Sequence, residues 1–182
     1  MRFLISLALV MLANTALAQS VFDRLDKFYV GGGLTYIDAN AAAADGESGE
    51  FTSTELIGGY KYSGYLGGEI RLGTGLRSES FVDRTNSQVF DGSIGYYGSV
   101  YWRPETANEV AKIYGLIGYT SISVDRQYSS SSSSSSESGL SYGGGVGFTF
   151  DERWNLNFEY RTIIDTSTAE FTAVAANVDY RF

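Results

Sequence analysis

The sequence contains no cysteine and no histidine, a single proline, and no long apolar run after its first residues. Without cysteine there is no disulfide framework, no thiolate metal site and no lipidated leading cysteine. Without histidine, Ser-His and Asp-His arrangements are impossible, so the base on which most hydrolytic sites depend is missing. No later segment approaches 18 consecutive apolar residues, which excludes transmembrane helices. Basic residues are also scarce. Thirteen Lys and Arg stand against 21 Asp and Glu, a formal charge of −8, and an acidic chain is a poor partner for nucleic acid, whose phosphates must be neutralised. If such a chain crosses a membrane, it must do so as a closed barrel of strands.

Both termini point that way. Met1 and Arg2 form a positive start, Phe3 to Ala13 is almost wholly apolar, and Ala16-Leu17-Ala18 is a small-x-small site. This reads as a secretory signal peptide over residues 1–18, leaving 19–182 as one domain. At the other end Val174, Ala176, Val178, Tyr180 and Phe182 alternate with Ala175, Asn177, Asp179 and Arg181. A side-chain period of 2, with one apolar and one charged face, fits a closing strand between lipid and a polar lumen.

Seven further alternating segments precede it. They are Phe28–Ile37, Phe51–Tyr62, Tyr65–Thr74, Val89–Arg103, Ala111–Val124, Leu140–Phe150 and one from Trp154 through Ile164. Each has about ten residues or more, the length a tilted strand needs to cross a hydrocarbon core. Short turns at Ser63-Gly64, Pro104–Asn108 and Asp151–Arg153 alternate with longer connections at Asp38–Glu50, Gly75–Gln88 and the serine-rich stretch after Val124. The connection Asp165–Ser167 is shorter than this rhythm predicts. The expected fold is all-β: an eight-stranded antiparallel up-and-down transmembrane barrel. In the fourth segment Ile94, Tyr96, Val100 and Trp102 should face outward, and in the seventh Trp154, Leu156, Phe158, Tyr160 and Ile164. Ala111–Val124 is apolar on both faces, so its orientation stays open.

The outward faces carry Phe28, Tyr60, Tyr62, Trp102, Phe150, Trp154, Tyr180 and Phe182 near the short-turn ends, where amphipathic rings form a girdle at the headgroups. The opposite faces carry Glu55, Lys61, Glu69, Arg71, Arg103, Glu159, Arg161, Asp179 and Arg181. Eight strands leave room inside only for side chains, so these charges should pair into a plug.

The chain resembles the small eight-stranded outer-membrane barrels of Gram-negative bacteria: the OmpA transmembrane domain, the OmpX family and the opacity-type, porin-like adhesins. The residues that carry the likeness are Val178-Asp179-Tyr180-Arg181-Phe182, Tyr29-Val30-Gly31-Gly32-Gly33, Tyr142-Gly143-Gly144-Gly145-Val146 and Asn157-Phe158-Glu159-Tyr160-Arg161. The resemblance implies a monomer among outer-membrane lipid and lipopolysaccharide, with Tyr180 and Phe182 read by the outer-membrane assembly machinery. It implies no cofactor. No peptidoglycan-binding domain like that of OmpA is expected after the barrel, and the longest loops of the adhesins are not matched.

Chemistry is sparse. A Glu159/Asp179 acid–base pair lacks a substrate cleft, and a Ser-Lys pair at Lys61 or Lys112 lacks a nucleophile motif, so no enzyme is expected. Asp38, Asp45, Glu47 and Glu50 crowd the first loop but miss the calcium-loop spacing, so no metal site is expected either. Ser129–Ser136, followed by Glu137 and Ser138, reads as a flexible, solvated hairpin tip. Three functions fit: a structural or surface-interaction barrel with a plugged, charged lumen; a small-conductance channel through that lumen; or a soluble, lipocalin-like periplasmic carrier with its apolar face inside.

Overall fold

The computed structural model describes residues 27–40, 48–83, 88–106, 110–128, 132–166 and 170–182. The expected signal peptide lies outside these residues, as do Asp45, Glu47 and Ser129. The strands are β1 Phe28–Asn40, β2 Ser48–Ser63, β3 Leu66–Gly75, β4 Ser78–Asp83, β5 Gln88–Pro104, β6 Ala111–Tyr128, β7 Ser132–Phe150, β8 Trp154–Asp165 and β9 Glu170–Arg181. Each pairs antiparallel with its sequence neighbour, except that β3 and β4 both pair with β5. These two segments are halves of one strand. Thr74 stands opposite Tyr96 and Ser78 opposite Ser93, so one extra residue bulges where they meet. β1 pairs with β9 as well as β2. The sheet therefore closes into an eight-stranded barrel with no free edge, the only way a sheet satisfies its backbone groups in lipid.

The outer surface is apolar. Leu34, Leu56, Ile70, Val100, Ile113, Ile117, Val146, Phe158 and Val174 are all exposed. That excludes the lipocalin-like carrier, whose apolar face would line the interior. Beside the short turns the rings stack, Phe28 on Tyr60 at 4.8 Å, Trp154 on Tyr180 at 4.9 Å and Tyr180 on Phe182 at 5.2 Å between centroids. Further along the same outward faces stand exposed Tyr36, Tyr96, Tyr119, Tyr142 and Tyr160, a second aromatic belt that bounds the aliphatic band on the other side.

Three expectations need correction. First, most of the expected long loops are strand. β1 and β2 pair out to Asn40 and Ser48, and β4 and β5 out to Asp83 and Gln88. Ser132–Ser136 pairs with Ser123–Gln127, and Ser138 Oγ donates to Ser121 Oγ at 2.9 Å, so the serine run is largely an ordered ladder. Polar residues on both faces give no period to read. Second, Ile94 is buried, because the register slips at Gly95, between Ile94 and Tyr96. Third, Ile164 is buried, because a similar slip falls between Thr162 and Ile164. One inserted residue moves every later side chain to the other face. The open orientation of β6 is resolved: Lys112, Tyr114, Leu116, Thr120 and Ile122 face inward, while Ile113, Ile117 and Tyr119 are exposed.

Candidate functional site

The lumen is filled in tiers. Glycines set its spacing. A Cβ on Gly59 would meet the Tyr29 ring at 2.0 Å, and one on Gly73 would meet the Tyr97 ring at 2.1 Å. Each glycine is the cross-strand partner of its tyrosine, and only the missing side chain leaves room for the ring against the neighbouring strand.

All nine lumen charges named from the sequence are buried. The central tier is built around Arg71. Its Nε donates to Glu69 Oε1 at 2.8 Å, and Nη2 to the same oxygen at 2.5 Å and to Glu159 Oε1 at 2.9 Å. Its Nη1 donates to Glu159 Oε2 at 2.6 Å and to Glu55 Oε1 at 3.1 Å. Three carboxylates thus occupy one guanidinium, whose planar fork of donors matches them. Arg161 Nη2 donates to Glu55, and Arg103 Nη1 to Glu69 Oε2 at 2.5 Å. Tyrosines complete the acceptors: Tyr29 donates to Glu69 at 2.8 Å, Tyr97 to Glu55 at 3.1 Å and Tyr114 to Glu159 at 2.7 Å. Arg103 also stacks over Tyr114, 3.8 Å from its centroid. In low dielectric such ions persist only because each is paired and hydrogen-bonded.

Nearer the short turns, Lys61 is paired with Glu105. Asp179 accepts from Asn155 Nδ2 at 2.8 Å and Asn157 Nδ2 at 2.7 Å. Arg181 lies 4.0 Å from Glu105 and 3.9 Å from Asp179. Glu159 and Asp179 are therefore committed to separate partners and form no acid–base couple. Lys112 contacts Asn155 at 3.0 Å, and among the described residues neither it nor Lys61 hydrogen-bonds a serine.

Toward the long hairpins the lumen changes character. Ile37, Phe51, Ile94, Tyr97, Ile122, Ile163, Ile164, Phe171 and Ala173 form one buried cluster. The sequence placed Ile94 and Ile164 on the lipid face. Two register slips turn them inward, where they join the other residues of this apolar cap. Glu105 and Lys112 were also not singled out as lumen charges. Glu105 sat in a stretch read as a turn, yet it bridges to Tyr114. Lys112 is the only charged residue between Ala111 and Val124, and that alone could have oriented the strand, since an ion faces the lumen before it faces lipid.

Beyond the cap the barrel wall continues as hairpins. Asp38 and Glu50 stand opposite each other across β1 and β2, and no cluster of three or more metal-ligating side chains occurs among the described residues. On β4–β7, Ser78, Ser93, Asp125 and Ser134 form one cross-strand row. With Asp91, Gln127, Ser132 and Ser133 they line a polar pocket of about 370 Å³. Their neighbours Ile94 and Val124 pack into the cap, so the pocket lies on the outer face of the wall.

The model of the outer membrane protein beta-barrel domain matches residues 4–182. Among solved structures, Ail, the attachment invasion locus protein of Yersinia pestis, in complex with the heparin analogue sucrose octasulfate, is similar at 20% identity and a TM-score of 0.64, covering 87% of this chain and 99% of its own. Neisserial surface protein A is similar at 16% identity and a TM-score of 0.65, covering 85% and 97%. OprG of Pseudomonas aeruginosa gives 15% identity and a TM-score of 0.52, covering 87% and 96%. No curated protein matches the sequence. At these identities the structural likeness speaks for the fold alone.

Proposed function

Because the chain belongs to the outer membrane protein beta-barrel domain family, we propose that it acts as a surface-interaction protein with a closed lumen. Its place is the outer membrane of a Gram-negative bacterium. The short turns face the periplasm and the long hairpins face outward. One observation carries the reading: the apolar cluster of Ile37, Phe51, Ile94, Ile122, Ile163, Ile164 and Phe171 sits across the lumen beyond the ion-pair tier. A hydrated ion would have to shed its water against isoleucine and phenylalanine after breaking buried ion pairs. With the interior filled, the outward hairpins are the surface left for recognition.

That surface favours a neutral or basic partner. Asp91, Asp125, Asp165 and Glu170 are all exposed on the hairpin extensions, and like charge disfavours association with a polyanion. The heparin analogue bound by Ail is therefore not expected to bind here. Contacts with lipopolysaccharide use the outer wall, and the assembly machinery reads Tyr180 and Phe182. The chain acts as a monomer without cofactor, and nothing in its lumen supports catalysis. The test is binding of cells that display the protein to host or abiotic surfaces. Shortening β6–β7 by removing the paired segments Asp125–Gln127 and Ser132–Ser134 should reduce adhesion while leaving the barrel folded. Unchanged adhesion would remove the hairpin from the account.

A further inference from the structure

The buried charges of the lumen do not balance. Among the described residues six buried cations face five buried carboxylates, although the whole chain is acidic. The surplus sits at the short-turn end. There Glu105 is shared by Lys61, Arg103 Nε at 3.3 Å and Arg181 at 4.0 Å, and both oxygens of Asp179 accept from the Asn155 and Asn157 amides. Lys112, only 3% exposed, finds the neutral oxygen of Asn155 and no carboxylate. Arg181, only 2% exposed, has no hydrogen-bond partner for Nε or Nη1. Its nearest carboxylate oxygens, at 3.9 and 4.0 Å, are beyond hydrogen-bond reach. Asn155 links the two, accepting from Lys112 at 3.0 Å and donating at 2.8 Å to Asp179 Oδ1, which lies 3.9 Å from Arg181 Nε. Buried donors and charges without counterparts are the costly exception in folded proteins.

We propose that a small inorganic anion, chloride or a small oxyanion, binds between Lys112 and Arg181 at the periplasmic end of the lumen. Ammonium and guanidinium groups only donate, so the ligand must accept. Water accepts but brings no charge, whereas one anion corrects the excess of one cation. An eight-stranded lumen limits the ligand to a small one. Lys112 lies near the start of β6 and Arg181 ends β9, so the site lies at the short-turn end of the lumen. The central ion pairs and the apolar cap bar entry from the other side. The anion completes the plug and does not pass through it.

The test uses purified, refolded protein in detergent micelles at constant ionic strength, with chloride or inorganic phosphate replacing bulky gluconate. A ligand bound only by the folded state raises the unfolding temperature saturably. A saturable rise of a few degrees is expected in the wild type and its loss in Lys112→Gln, with heat-modifiable gel mobility showing that the variant is folded. Chloride-35 line broadening by the wild type, abolished by the same substitution, reports binding directly. Identical unfolding curves in chloride, phosphate and gluconate, with no line broadening, would overturn the proposal. If Lys112→Gln does not fold, the wild-type titration and line broadening decide alone.

Discussion

Phe158 shows what a single residue does in this wall. It is exposed near the middle of β8, opposite Val146 and Ala176, so its ring faces hydrocarbon. Phe158→Arg should cost about 2–4 kcal/mol in folding titrations, and equal stability would mean that the two faces are inverted. On the inner side, Gly73→Ala would drive a methyl group into the Tyr97 ring, whose hydroxyl holds Glu55. A loss of about 1–3 kcal/mol is expected, and no loss would show that Tyr97 swings free of the network. Phe182, exposed and packed on Tyr180, is tested differently. Phe182→Ser should lower the yield of folded barrel in the outer membrane while leaving export across the inner membrane intact. Unchanged barrel levels would remove it as an assembly signal.

At the scale of the element, strands were legible wherever one face met lipid and the other met the lumen. β3, β9 and the first part of β8, up to Arg161, alternate so regularly that the residues facing inward, Glu69, Arg71, Glu159, Arg161, Asp179 and Arg181, follow from parity alone. Legibility failed where that contrast faded or slipped. The serine ladder of β7 is polar on both faces, so pairing that depends on its partner strand left no pattern in its own residues. Ile94 and Ile164 were placed on the lipid side because an alternation count cannot see an inserted residue. Ile164→Ala tests the corrected side. Emptying a packed interior site should cost about 2–5 kcal/mol in urea titration, and a loss well below that range would return Ile164 to the lipid face.

At the scale of the whole molecule, the barrel follows from what the sequence lacks together with its period of 2. What closes the barrel did not follow. The ion pairs were anticipated as residue types, but Arg71 as their hub depends on three strands meeting it at once, Glu55 on β2, Glu69 on its own strand and Glu159 on β8. Two members of the apolar cap, Ile94 and Ile164, are brought inward by bulges on two strands far apart in sequence. Both bear on the central claim that the lumen is shut, and planar-bilayer recording on the purified, folded protein measures this most directly. The wild type should show no steady conductance. Steady, ion-selective current that changes in Arg71→Gln or Glu159→Gln would contradict it and make the lumen a channel.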